Sequence, residues 1–159
     1  CIMTNDPFDA GERPVWERGA ERDPRFLAAL RIDPLLNDYP NAAKTLRALG
    51  YDAGPELDAA SAAEARRFLT DWAATMDARY MAVSLPPDFA YGDGSLRSRI
   101  LDQCVLPAAR DRGIPFAMMI GVTRQVNPAL RLAGDSVGPA GVTAVERICA
   151  ANPDNKFLC

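Results

Sequence analysis

Pro115-Phe116-Ala117-Met118-Met119-Ile120-Gly121-Val122 is apolar at almost every position, and the chain turns polar directly afterwards, at Thr123-Arg124-Gln125. A strand with one face in water alternates apolar and polar side chains, whereas a strand covered on both faces does not need to. This stretch therefore reads as a strand of a buried parallel sheet. Residues 1–4, 26–32, 79–85 and 156–159 have the same nearly continuous apolar character.

The segments between these runs read as helices. Asn41 offers an N-cap for residues 41–49, and Gly50 a stop. Ser61 and Glu64 make the S-x-x-E pattern of a capping box, ahead of Phe68, Leu69, Trp72 and Met76 at spacings of three and four. Ser95 can cap a third helix that ends at Gly113, with Pro107 predicting a kink inside it. Thr143 and Glu146 repeat the capping-box pattern, and a short helical piece is expected around residues 15–18. Strands alternating with helices imply βαβ units, so the fold class is α/β with a parallel sheet. Five strands suit either an open doubly wound sheet or part of an eight-stranded barrel.

The 159 residues, 48% hydrophobic and 25% charged, can bury one sizeable core. Eighteen Lys and Arg against 21 Asp and Glu give a net charge of -3 with no basic stripe, which speaks against nucleic acid and anionic membrane as partners. No apolar run approaches the roughly 18 residues of a membrane span. The four cysteines, Cys1, Cys104, Cys149 and Cys159, show no CxxC spacing and read as buried or terminal thiols of a reducing cytoplasm. Histidine is absent, which removes the commonest transition-metal ligand and general base. A Ser/His/Asp or Cys/His centre is thereby excluded from this chain.

In parallel α/β folds the C-terminal strand ends share one face, where functional groups collect. The polar residues after the apolar runs are Thr4 and Asp6, Arg31 and Asp33, Ser84 and Asp88, and Arg124 and Asn127. Asp33 and Asn127 precede prolines and could simply start turns. Arg31 and Arg124 could be salt-bridge partners, yet both follow directly from buried strands. Guanidinium groups suit carboxylates and hydroxyls, so an anionic, oxygen-rich small molecule is the expected ligand. Residues 92–95 and 133–138 are glycine-rich without phosphate-loop spacing and read as plain loops. Met118, Met119, Trp16 and Trp72 read as core, and Arg66 and Arg67 as a solvated helix face.

Met3-Thr4-Asn5-Asp6-Pro7-Phe8-Asp9, Leu30-Arg31-Ile32-Asp33-Pro34 and Ile120-Gly121-Val122-Thr123-Arg124-Gln125-Val126-Asn127 together resemble the uronate (glucuronate) isomerases of the amidohydrolase superfamily. That family carries T-x-D-P-x-D on its second barrel strand, R-P-D on the third and I-G-x-x-R-x-x-N on the fifth. The resemblance implies a partial (β/α)8 TIM-type barrel, with residues 1–159 as one incomplete domain running from the second strand to the sixth. It implies a metal-dependent interconversion of D-glucuronate with D-fructuronate, and of D-galacturonate with D-tagaturonate, in a cytoplasmic enzyme that could be a homo-oligomer.

By the same resemblance Arg31 contacts substrate, Arg124 and Asn127 lie beside the site, and Asp6, Asp33 and Thr4 support it. The divalent metal, expected to be zinc, is held in the family by an H-x-H pair on the first strand and an Asp on the eighth. None of these is in this segment, so the segment is expected to be an internal fragment, inactive alone and without a catalytic residue of its own. Many members also have a histidine immediately before I-G, where this sequence has Met119, the mark of a divergent branch. Another amidohydrolase acting on an acidic substrate, or a sugar-acid-binding homologue without turnover, are the alternatives.

Overall fold

The computed structural model describes residues 1–19, 21 and 23–159. All five apolar runs are strands: β1 (Ile2–Asn5), β2 (Leu27–Arg31), β3 (Met81–Leu85), β4 (Phe116–Ile120) and, after two short strands described below, β7 (Phe157–Leu158). They form one parallel sheet in the order β1-β2-β3-β4-β7. A doubly wound sheet reverses its strand order at a switch point, and this sheet does not. Sequential parallel order is that of a stretch of barrel wall, here left open.

The register separates two faces. Ala28 and Leu30, Met81, Val83 and Leu85, and Phe116 and Met118 belong to the main apolar core. The opposite face aligns Thr4 with Ala29, Arg31 with Ala82, and Ser84 with Met119. Its lower part is small and closed, with Ala29 and Ala82 at 0% and 1% exposure, while Met119 stands 45% exposed rather than in the core.

Helices α1 (Arg13–Glu17), α2 (Asp33–Asn37), α3 (Tyr39–Ala48), α4 (Ala59–Thr75), α5 (Leu96–Ile100), α6 (Leu106–Arg112) and α7 (Thr143–Ala151) join the strands. Phe68, Leu69, Trp72 and Met76 of α4 and its C-cap are buried as the spacing predicts. The Phe68 ring lies 5.1 Å from Phe8 and 5.3 Å from Tyr51. Truncating such a side chain costs about 3–5 kcal/mol. The kink expected at Pro107 is a π turn, Leu101–Val105, in which the Leu106 N–H reaches back to the Leu101 carbonyl. Proline lacks the donor needed one residue later, and the wider turn accommodates its ring.

Three caps differ from expectation. Helix α3 begins earlier than Asn41, because Pro40 suits the first turn, and Asn41 donates to Asp38 at 2.7 Å. Asp58, not Ser61, caps α4 by accepting from the Ser61 N–H at 2.7 Å. The Ser61 hydroxyl instead accepts from the Gly54 N–H, and Glu64 accepts from the Asp52 N–H. No side chain caps α7, so Thr143 and Glu146 form no capping box. Helix α2 was not expected at all, since Asp33-Pro34 reads equally well as a turn.

Candidate functional site

The strand ends converge as their sequence suggests, and the convergence is centred on Asp33. This carboxylate, 8% exposed at the start of α2, accepts from Arg31 Nε at 3.1 Å and Arg31 Nη2 at 3.3 Å. It also accepts from Arg124 Nη2 at 2.8 Å. Arg31 leaves the end of β2 and Arg124 follows β4, so one buried anion fixes guanidinium groups from two separate strands. Asp33 thus does more than start a turn: a carboxylate this enclosed needs such partners.

Arg124 is held from its other side by a device that sequence reading missed. Strands β5 (Val122–Thr123) and β6 (Ser136–Val137) pair antiparallel just beyond β4. They bring Asp135 back so that it accepts from Arg124 Nη1 at 2.6 Å and from the Gln125 N–H at 2.9 Å. Gln125 takes a left-handed φ of 51° to present that N–H, an uncommon conformation without glycine. The Gln125 N–H and the Arg124 guanidinium together hold the Asp135 carboxyl below its usual range. A glycine-flanked aspartate eleven residues after an arginine carries no local signal, so residues 133–138 read as a plain loop.

Asp6, Arg31, Asp33, Pro34, Arg124, Gln125 and Asp135 line one cleft of about 310 Å³. Burial is the main influence on the Asp6 carboxyl and pushes its pKa up, against the Phe8 N–H and Arg31, which favour the charged form. Hydrogen bonding to Asp33 raises the pKa of Arg31 further above its already high value. Asn127 does not line this cleft; its side chain accepts from the Ala129 N–H at 3.3 Å and caps a short 3-10 turn that begins at Pro128. Thr4 is exposed on β1, on the same sheet face as Arg31.

A second cleft, of about 220 Å³, shares Arg124 as a wall and is completed by Asn37, Ser84, Leu85, Pro86, Arg97 and Val122. Arg97 donates to the Leu36 carbonyl at 3.3 Å and to Asn37 Oδ1 at 3.2 Å, and Asn37 donates to the Ser84 carbonyl at 3.1 Å. Sequence reading did not single out Arg97, which lies on a helix rather than at a strand end.

No three His, Cys, Asp or Glu side chains among the described residues are grouped to hold a metal ion. The carboxylates of the first cleft do not fit one either, because Asp33 and Asp135 are occupied by guanidinium and amide donors. All four cysteines are free thiols. No helix of the described residues is long and apolar enough to cross a membrane.

No family model matches the chain, and no curated protein does. Solved structures do. The chain superposes with TM-scores of 0.69 on a glucuronate isomerase from Caulobacter crescentus and on a uronate isomerase from Thermotoga maritima, at 14% and 11% identity. Each match covers 98% of this chain and 40% or 42% of the other, and at such identities it speaks for the fold alone. A uronate isomerase from Bacillus halodurans matches at 52% identity with a TM-score of 0.93, over 98% of this chain and 37% of its own. The chain therefore spans less than half the length of these enzymes. With that identity along nearly all of its length, the chain is similar to part of a uronate isomerase.

Proposed function

We propose that this chain supplies the arginine-bearing part of the substrate site of a metal-dependent hexuronate isomerase. The enzyme would interconvert D-glucuronate with D-fructuronate and D-galacturonate with D-tagaturonate. The observation that carries this reading is the 52% identity to a uronate isomerase along 98% of the chain. The geometry is consistent with it, since Arg31 and Arg124 bring guanidinium groups to one cleft at the C-terminal strand ends. Their N–H groups not engaged by Asp33 and Asp135 can bind sugar hydroxyls or a carboxylate.

Aldose–ketose isomerisation moves a proton from C2 to C1 and develops negative charge on oxygen. Arg31 and Arg124 can bind and orient the sugar acid and neutralise charge. A divalent metal, zinc in our proposal, would polarise the substrate oxygens, with its ligands on other strands of the intact barrel. In this reading the five strands are the second to the sixth of eight, residues 1–159 are one incomplete domain, and the protein works in the cytoplasm. The 159 residues alone would not turn over substrate.

The test is proton exchange. The metal-loaded intact protein, incubated with D-glucuronate in D₂O, should form D-fructuronate, with exchange at the shifted position visible by NMR. Hydrolysis of uronate esters without isomerisation would favour the other amidohydrolase reading. Met119, exposed on the site face of β4, favours a second reading, that of a binding homologue, because a thioether cannot shuttle a proton. Uronate binding with neither exchange nor product would establish that reading.

A further inference from the structure

We infer that the substrate's carboxylate is recognised by Arg97 in the second cleft, beside Arg124, and that the first cleft holds the hydroxylated end of the sugar. This assignment rests on the hexuronate reading above and adds a specificity-determining residue, Arg97, to it. The lining charges of the two clefts differ. The first places three carboxylates, Asp6, Asp33 and Asp135, beside two guanidinium groups. Arg31 and Arg124 are already matched there by Asp33 and Asp135, so an incoming carboxylate would meet neutralised arginines and spare negative charge. Hydroxyls, which both donate and accept, suit such a mixed surface.

The second cleft has no carboxylate in its lining, and of its two guanidinium groups Arg124 is paired with Asp33 and Asp135 whereas Arg97 is not. Arg97 is half-buried and donates to neutral acceptors, the Leu36 carbonyl and the Asn37 side-chain oxygen. Among the described residues it makes no ion pair, so its charge remains unmatched. These two bonds also fix the direction of the fork, since Asn37 is itself anchored to the Ser84 carbonyl. An oriented, half-buried guanidinium without a counter-ion is a carboxylate receptor. Arg124, shared by both clefts, sets them side by side, as one ligand with an acidic end and a polyol end requires.

The experiment compares D-glucuronate with D-glucuronamide, its uncharged amide, by calorimetric titration of the intact protein. Wild type should prefer the acid. Arg97→Gln should lose about ten- to a hundredfold in affinity for the acid, the range for one charge-assisted contact, and leave the amide unchanged. Arg97→Lys should recover part of the preference. Arg31→Gln should weaken acid and amide alike. A purely structural Arg97, latching α2 to α5, would lower both ligands together in Arg97→Gln, and that result overturns the assignment. So does an unchanged acid preference in Arg97→Gln, with the hexuronate reading intact. A wild type that binds neither ligand overturns that reading as well.

Discussion

Arg124 Nη2 lies 2.8 Å from Asp33 Oδ1 although 91 residues separate them in the chain, and Arg31 Nη2 approaches the same oxygen at 3.3 Å. One carboxylate therefore ties the end of β2 to the segment after β4. Asp33→Asn keeps the shape, removes the charge, and turns an amide N–H₂ or a single carbonyl toward two cations. Charge-assisted bonds contribute about 1.5–3 kcal/mol. Because both arginines are partly exposed, screening lowers the expected loss to about 1–2 kcal/mol. Urea denaturation should show it as a lower midpoint with an unchanged slope. In Arg124→Gln the additional cost of Asp33→Asn should shrink, the signature of coupling.

The acid limb of stability should depend on Asp93. The Ser95 hydroxyl, the Ser98 hydroxyl at 2.7 Å and the Ser95 N–H at 3.0 Å all favour its charged carboxylate and lower its pKa from 3.8 to about 2. With a folded value below the unfolded one, its contribution is present above 3.8 and is lost as pH falls toward 2. Asp93→Asn should therefore be less stable than wild type near neutrality, with the gap closing as pH drops through that window. Thermal melts at a series of pH values would read it, and a gap independent of pH would contradict it.

Asp6 has the opposite sign. Burial raises its folded pKa above the ordinary 3.8, so its contribution is fully present below that value and lost as pH rises through the folded pKa. Asp6→Asn retains an acceptor for the Phe8 N–H and removes the buried charge. The variant should melt higher than wild type near pH ~7 and show no such gain near pH ~3. A loss at neutral pH would mean that attraction from Arg31 outweighs burial.

What could be read in the sequence follows from how far each interaction reaches. The central strands were legible because burial on both faces writes itself into consecutive residues, as in Met81–Leu85, whereas the edge strands β1 and β7 carry equally apolar runs yet are largely exposed. Arg31 and Arg124 were legible because they follow such strands directly. Asp58, which caps α4, was overlooked because Ser61 carries the better-known pattern a turn later. Asp135 and Arg97 were not legible at all: their meaning comes from β5 pairing with β6 and from α5 lying beside α2. Asn127 shows the converse, a residue in a suggestive motif whose side chain is spent on its own 3-10 turn.

Thiol reactivity should separate the cysteines by burial. Cys104 is fully buried in the π turn, and burial pushes its pKa up to about 12, so almost none of it is the reactive thiolate at neutral pH. Cys1 and Cys159 are exposed. A chromogenic disulfide reagent should modify Cys1 and Cys159 promptly and Cys104 only as fast as the protein unfolds. Adding urea should accelerate the Cys104 phase in step with the loss of structure. Rapid labelling of Cys104 without denaturant would show that the α4–α6 interface opens far more readily than its packing allows.

Gly121 is where the sheet hands over to the hairpin that positions Arg124. Its φ of 108° suits glycine alone, its N–H donates to the Leu85 carbonyl, and its carbonyl accepts from the Gly138 N–H at 2.7 Å. A Cβ built there would stand 2.8 Å from the Gly138 carbonyl oxygen, a backbone atom that cannot step aside alone. Gly121→Ala should therefore cost about 1–3 kcal/mol, as backbone strain does at such positions. It should also part β5 from β6, and with them the Asp135 grip on Arg124. Stability and uronate affinity would fall together, and hydrogen exchange at the Gly138 and Gln125 amides should quicken ahead of the sheet. Exchange that stays slow at both amides, with full affinity, would show that the hairpin is held by something other than this close backbone approach.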